Sequence, residues 1–223
     1  MDEKMKAIIT GANRGIGLAL AKELINKNFE VFALCRSSSP ELEKLGAVIF
    51  EGIDVTDEQS LKKALQGLEK HKIDLLINNA GILENNPLDA IDYESILHQF
   101  DVNALGALKT TLTFLPQLKA GSKIIMITSR MGSIGDNTSG GYYGYRISKA
   151  ALNMIGKSLA IDLKPSKIAV GLVHPGFVRT QMVSFSGNLE PEQAAKGIIQ
   201  RIDELTLANS GGFWHSNGEE LPW

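Results

Sequence analysis

The sequence predicts a single α/β domain, a Rossmann-type doubly wound parallel sheet with helices on both faces. Three observations carry that expectation. Short apolar, β-branched runs alternate with amphipathic segments along all 223 residues. The runs are near-continuously apolar, as strands covered on both faces must be. A glycine-rich turn, "TGANRGIG", directly follows the first run and opens the first helical pattern.

The elements follow in order. "MKAIIT" (5–10) reads as the first strand, and after the turn "IGLALAKELINKN" has helical periodicity. "EVFALC" (30–35) and "AVIFEGI" (47–53) read as the second and third strands. "DEQSLKKALQGLEKHK" is a helix with Asp57 placed to cap it, and "IDLLIN" (73–78) is the fourth strand. "LGALKTTLTFLPQL" then reads as a helix and "KIIMIT" (123–128) as the fifth strand. "YRISKAALNMIGKSLAIDL" is a long helix that ends before Pro165, and "KIAVGLVH" (167–174) is the sixth strand. A helix around "EPEQAAKGIIQRI" precedes the tail "SGGFWHSNGEELPW", which reads as a last short strand and a docked terminus. No repeat, low-complexity tract or linker divides the chain, so residues 1–223 are expected to form one domain.

Bulk properties narrow the function. Twenty-three basic against 25 acidic residues leave a net charge of −2, which argues against nucleic acid or an anionic membrane as a charge-recruited partner. The single cysteine, Cys35, allows no internal disulfide and fits a reducing compartment. "MDEKMKAIIT" lacks a signal-peptide pattern and no apolar stretch is long enough to span a bilayer, so a cytoplasmic location is expected. His71, His98, His174 and His215 are scattered without ligand spacing, so no metal is expected. No Gly-x-Ser-x-Gly elbow suggests a hydrolase.

Gly11, Gly15 and Gly17 are spaced GxxxGxG. Glycines there let the backbone turn tightly and approach a pyrophosphate at a helix N-terminus, where free N–H groups favour anions. With "NNAG" (78–81), Asn103, Ser129, "YRISK" (145–149) and "PGFVRT" (175–180) following in order, the chain resembles the short-chain dehydrogenases/reductases. Within that family "TSRMGSIGDNTSGGYYGYRISKAALN" and the ending "GGFW…GEELPW" most resemble the sniffer-like and C-factor-like carbonyl reductases. The resemblance implies hydride transfer from a nicotinamide cofactor to the carbonyl of a small aldehyde or ketone. It also implies a homodimer or homotetramer. The C-factor likeness keeps open a second role, an NAD(P)-binding signalling protein with little or no turnover. An epimerase or dehydratase on the same fold is disfavoured by the short chain.

In dinucleotide folds an acidic residue about 20 positions past the glycines usually holds the ribose hydroxyls of NAD. Here "ALCRSSS" offers Arg36 instead. A guanidinium pairs with a 2′-phosphate that a carboxylate would repel. With Arg14 as a second positive charge, and Ser37 or Ser38 as donors, NADP(H) is expected over NAD(H). The resemblance adds Asn13 and Ile16 in the turn, and Asp54 and Val55 at the adenine, although Asp54 equally suits a turn or cap. It places Asn79, Ala80 and Gly81 along the cofactor and has Asn78 brace the sheet. Pro175 and Gly176 would shape the nicotinamide side, Val178 would receive the carboxamide, and Thr180 would bind amide or phosphate.

Three tyrosines crowd "GGYYGYRISKAAL". Residues four apart share a helical face, so Tyr142 meets Arg146, Tyr143 meets Ile147 and Tyr145 meets Lys149. A proton donor to an alkoxide needs a tunable phenol, and a unit charge at ~4 Å is worth on the order of 4 kcal/mol at an effective dielectric near 20. Lys149, which can exchange its proton and reach ribose hydroxyls as arginine cannot, therefore selects Tyr145, with its phenol expected to be acidified. Tyr145 to Lys149 is also the family's active-site signature, and both residues are expected to touch cofactor as well as substrate. Ser129, just after the fifth strand, would polarise the carbonyl oxygen, with Ser133 as its competitor across an unusually long interval to Tyr145. Asn103 would kink its helix and hold a water beside the lysine. Met182, Phe185, Ile134 and Tyr142 are the expected walls of an open substrate site, and His174 borders the nicotinamide pocket or serves structure only.

Overall fold

The computed structural model describes residues 4–223; the first three residues, on which the signal-peptide reading partly rests, lie outside it. Strands β1 (Lys6–Thr10), β2 (Glu30–Leu34), β3 (Val48–Phe50), β4 (Ile73–Asn78), β5 (Leu118–Ile127), β6 (Ala169–His174) and β7 (Phe213–His215) form one sheet. Their order is β3-β2-β1-β4-β5-β6-β7, and each pairing is parallel. Helices α1 (Gly15–Asn26), α2 (Pro40–Glu43), α3 (Glu58–Leu68), α4 (Tyr93–Phe100), α5 (Gly106–Phe114), α6 (Tyr143–Asp162) and α7 (Pro191–Glu204) complete the domain. The chain runs outward from β1 to β3, then returns to place β4 on the other side of β1. Loops leaving β1 and β4 therefore part in opposite directions, which opens a crevice at their carboxyl ends.

Alternation along β1 explains why its run is wholly apolar. Ile8 points into a core with Leu61 and Leu68 of α3, Phe114 of α5, and Leu152 and Leu159 of α6. Ala7 and Ile9 point the other way, onto Leu20 and Leu24 of α1 and Ala195 and Ile198 of α7. Burial on both faces removes the polar alternation of a half-exposed strand.

Three elements differ from expectation. The helix before β5 begins at Tyr93, not near Leu105; Asp92 caps it by accepting from Glu94 N (3.0 Å) and Ser95 N (3.2 Å). Its apolar Tyr93 and Leu97 face solvent, so the periodicity that marks a buried face is missing. A π-helical turn, Asp101–Leu105, joins α4 to α5. The third strand shrinks to three residues, and Gly52 after it takes φ +71°. β7 and the tail dock as expected: Leu221 is buried and Gly135 N donates to Trp223 O at 2.8 Å. No helix of the described residues is long and apolar enough to cross a membrane.

Candidate active site

The glycine turn is held shut by contacts that leave no room for side chains. A Cβ on Gly17 would lie 2.2 Å from Gly11 O, and one on Gly11, itself at φ +65°, would lie 3.0 Å from Ala80 Cα. Asn79 Nδ2 donates to Thr10 O (2.9 Å) and Gly11 O (3.1 Å), while Thr10 Oγ1 accepts from Asn79 N (3.0 Å) and Ala80 N (3.1 Å). The carboxyl ends of β1 and β4 are thereby locked together. Arg14, at the N-cap of α1, provides no side-chain cap, so the first-turn N–H groups stay available to an anion. A Cβ on Gly15 would come within 3.2 Å of Thr180 Cγ2, which sets the turn opposite the loop after β6.

A cleft of about 1300 Å³ runs along these loops. Every residue expected at the cofactor lines it, from Gly11, Asn13, Arg14, Gly15, Ile16 and Gly17 through Arg36, Asp54, Val55, Asn79, Ala80 and Gly81 to Pro175, Gly176, Val178 and Thr180. Ser129, Tyr145 and Lys149 line it too; Asn103 lies behind its wall. Asn78 braces the sheet as expected, donating to Thr111 Oγ1 at 2.9 Å.

The adenosine end has the features a phosphorylated dinucleotide needs. Among the described residues Arg36 makes no ion pair, Ser37 lines the cleft, and the buried Ser38 Oγ has no partner. Arg14 is differently employed: its Nη1 donates to Gln181 Oε1 and bridges the cleft mouth. Asp54 acts as a turn residue, accepting from Thr56 N (2.9 Å) and Thr56 Oγ1 (2.8 Å) while still lining the cleft. Burial alone would raise its carboxyl, but the Thr56 bonds, with Arg36 and His98 nearby, leave it below the ordinary value. The unpaired Arg36 guanidinium, Ser37 on the cleft and the uncapped helix together fit a nicotinamide dinucleotide carrying a 2′-phosphate.

At the other end Tyr145 and Lys149 are both buried. The expectation of an acidified phenol is reversed. Burial pushes Tyr145 up to about 12, and contact with the Ser129 hydroxyl only partly opposes it. Lys149 Nζ is turned to the end of β5, donating to Ile127 O at 3.0 Å, and lies 5.7 Å from the Tyr145 ring centroid. Burial lowers Lys149 to about 8. Desolvation outweighs a charge that does not touch the hydroxyl. At neutral pH the phenol therefore holds its proton.

Ser129 sits at the N-cap of the turn after β5, accepting from Met131 N at 3.1 Å, with its hydroxyl on the cleft. Ser133 is buried away from the cleft and accepts from Asp136 N at 3.0 Å, so the geometry favours Ser129. Asn103 lies in the π turn. Its Oδ1 accepts from Ile82 N (2.8 Å), and its Nδ2 donates to Ile82 O (2.9 Å) and Ser148 Oγ (2.9 Å). It thus ties the π turn to the loop after β4 and to α6. A Cβ on Gly81 would lie 3.0 Å from Asn103 Oδ1 and 3.7 Å from Lys149 Nζ, so a side chain there would crowd the Asn103 amide.

Arg146 is spent on the loop before α6, donating to Gly140 O and Gly141 O (3.1 Å each) and Ser139 Oγ (2.8 Å). Tyr142, at φ +50°, lines the cleft with Met182 and Phe185; Tyr143 does not. Ile134 is no wall: it is 82% exposed and is not part of the cleft lining. In its place stand Ile82, Leu83, Val102, Met131 and Phe177, contributed by the β4 loop, the π turn and the loops after β5 and β6. The only sequence signal for them was their position beside motif residues. His174 borders the cleft as expected.

A family model described as short chain dehydrogenase matches residues 5–190. The 1-hydroxy-2-glutathionyl-2-methyl-3-butene dehydrogenase of Rhodococcus sp. (strain AD45) is 39% identical over 97% of this chain and 98% of its own. The C-signal of Myxococcus xanthus is 42% identical over 68% of this chain and 93% of its own. Among solved structures, the carbonyl reductase Sniffer of D. melanogaster superposes with a TM-score of 0.92 at 32% identity, covering 99% of this chain and all of the other. An NADPH-bound carbonyl reductase from chicken fatty liver gives a TM-score of 0.90 at 29% identity, with both chains fully covered.

Proposed function

Because this chain belongs to the short-chain dehydrogenase family, we propose that it is an NADPH-dependent carbonyl reductase acting on small aldehydes or ketones. One observation carries the reading: a buried, proton-bearing Tyr145 beside the Ser129 hydroxyl, both lining a cleft suited to a phosphorylated dinucleotide. When bound along the cleft, the dinucleotide would supply a hydride for the carbonyl carbon. Ser129 and Tyr145 hold the carbonyl oxygen, and charge gathering there strengthens both hydrogen bonds. Tyr145 then gives that oxygen its proton. Lys149 keeps this end of the cleft cationic below about pH 8. Asn103 acts through the loop that it fixes.

The choice of NADPH is supported by Arg36 standing where an acidic residue would otherwise hold the ribose, and by the NADPH found in the chicken carbonyl reductase. A homodimer or homotetramer is supported by apolar side chains that α4, α5 and α6 leave exposed, Leu97, Leu112 and Met154 among them. The likeness to the C-signal favours a second reading, a nicotinamide-binding signalling protein with little turnover. A catalytic constellation complete in its acid, lysine and serine favours the enzyme.

Tyr145→Phe tests the choice. It should lower turnover of carbonyl substrates at least about a hundredfold, while titration of nicotinamide fluorescence shows NADPH binding nearly intact. Wild-type-like turnover by the variant would defeat the assignment.

A further inference from the structure

A second cavity, of about 360 Å³, opens beside the reactive end of the cleft. Its walls include Arg130, His174, Phe177, Asn188, Leu189 and His215; Arg130, His174 and Phe177 also line the main cleft, so the two spaces adjoin. Arg130 follows Ser129 directly in the chain. A group in this cavity would therefore hang from a substrate whose carbonyl is held at Ser129.

The polar groups around the cavity are chiefly donors. Asn217 N donates to His215 Nδ1 at 3.0 Å, which places the proton of the neutral ring on Nε2. That Nε2 faces the wall at Gly176, where an added Cβ would lie 3.5 Å from it. Arg130 is held from behind: its Nε lies 3.3 Å from Asp136 Oδ2 and its Nη2 donates to Glu219 Oε2 at 2.7 Å. Its Nη1 engages no acceptor among the described residues. Asn188 adds an amide at the rim. The buried His174 Nδ1 has no hydrogen-bond partner, and its ring meets that of His215 edge-on at 4.9 Å.

The local field points the same way. Desolvation is the main reason His174 falls to about 3, and the Arg130 and Lys149 cations add to it; His215, itself lowered chiefly by burial, enters as a neutral donor. Asp136 and Glu219 anchor the guanidinium without reversing the field at His174. Phe177 and Leu189 supply an apolar flank for the carbon chain leading in.

Building on the carbonyl-reductase reading, we propose that this side cavity is a substrate subsite for a carboxylate, held by Arg130 and His215, so that the preferred substrates are aldehydes or ketones bearing a carboxylate several bonds from the carbonyl. Hydride still goes from NADPH to the carbonyl carbon and the proton from Tyr145 to oxygen; the carboxylate is unchanged.

The test is NADPH oxidation by the wild-type protein with a graded series of straight-chain ω-oxo acids and their methyl esters, whose methylene spacers insulate the carbonyl electronically. At the best chain length the acid should exceed its ester at least about tenfold in kcat/KM, a difference of ~1.4 kcal/mol. Arg130→Met and His215→Phe should each bring that ratio close to unity, chiefly through KM for the acid. Turnover of the ester by each variant reports that it is folded. If one variant does not fold, the other and the wild-type ratio still decide. Equal turnover of acid and ester at every length would overturn the subsite and leave the reductase reading standing. Absence of turnover throughout the series would overturn that reading and the subsite with it.

Discussion

Tyr145 and Lys149 sit four apart on α6, a spacing that marks them in sequence, yet the acidic phenol that spacing predicts is reversed by burial. Spacing shows which side chains share a face; it does not show how much protein covers them. Burial depth belongs to the tertiary structure, and here it decides the sign. Lys149 falls to about 8 from its ordinary 10.5, so the ammonium form is penalised in the fold. Between about pH 8 and 10.5 the unfolded chain binds more protons at this site than the native one, and stability rises with pH there. Below pH 8 the penalty is fully present. Lys149→Met should therefore raise the melting temperature at pH 7 by up to several degrees, corresponding to about 2–3 kcal/mol less the lost bond to Ile127 O, while reductase activity collapses. Calorimetry across pH checks it: a gain that failed to shrink above pH 8 would refute the buried-charge explanation. Arg36 is simpler, because its role depends only on standing at the end of β2. Arg36→Asp should shift the NADPH-over-NADH ratio of kcat/KM toward NADH by roughly ten- to a hundredfold, since an attractive charge becomes a repulsive one. Steady-state kinetics with both cofactors would show it, and an unchanged ratio would remove Arg36 as the discriminator.

Among the elements, strands and their carboxyl-end loops were legible because each is short, apolar and punctuated by glycine or proline. The stretch from Tyr93 to Leu105 was not. Its first turns expose Tyr93 and Leu97, so no apolar stripe announces a helix, and its π turn is held by an asparagine whose partners are remote in sequence. Asn103 was recognised by the company of other motif residues, and its expected kink appears as that turn. Its amide is engaged directly with protein: Asn103 clamps both backbone groups of Ile82 and reaches Ser148. Asn103→Ala should remove these three hydrogen bonds and leave both backbone groups of Ile82 without their partner, while Ser148 Oγ keeps its bond to Tyr145 O. That should cost about 2–4 kcal/mol of stability. It should also lower kcat more than NADPH affinity, because the loosened loop borders the reacting end. Denaturant melts paired with single-turnover rates separate the two effects; a variant as stable as wild type would show that the clamp is incidental.

At the scale of the whole molecule, the crevice follows from strand order. Sending β4 to the far side of β1 forces their loops apart, and every motif recognised in the sequence except Asn103 ends a strand or begins a helix along that opening. The motif order was thus enough to locate the cleft before any coordinates. Its side cavity was not foreseeable, because it gathers Arg130 after β5, His174 at the end of β6, Asn188 from the loop before α7 and His215 from β7. No local pattern links them; only the adjacency of β5, β6 and β7 does.

A phenol that keeps its proton until about pH 12 also makes the reaction lopsided in time. Alcohol oxidation needs the ionised form to strip a hydroxyl, and in neutral water that species is a minute fraction of the population. The reverse reaction should therefore accelerate close to tenfold for each added unit of alkalinity, while the forward one, which uses the protonated phenol, gains nothing.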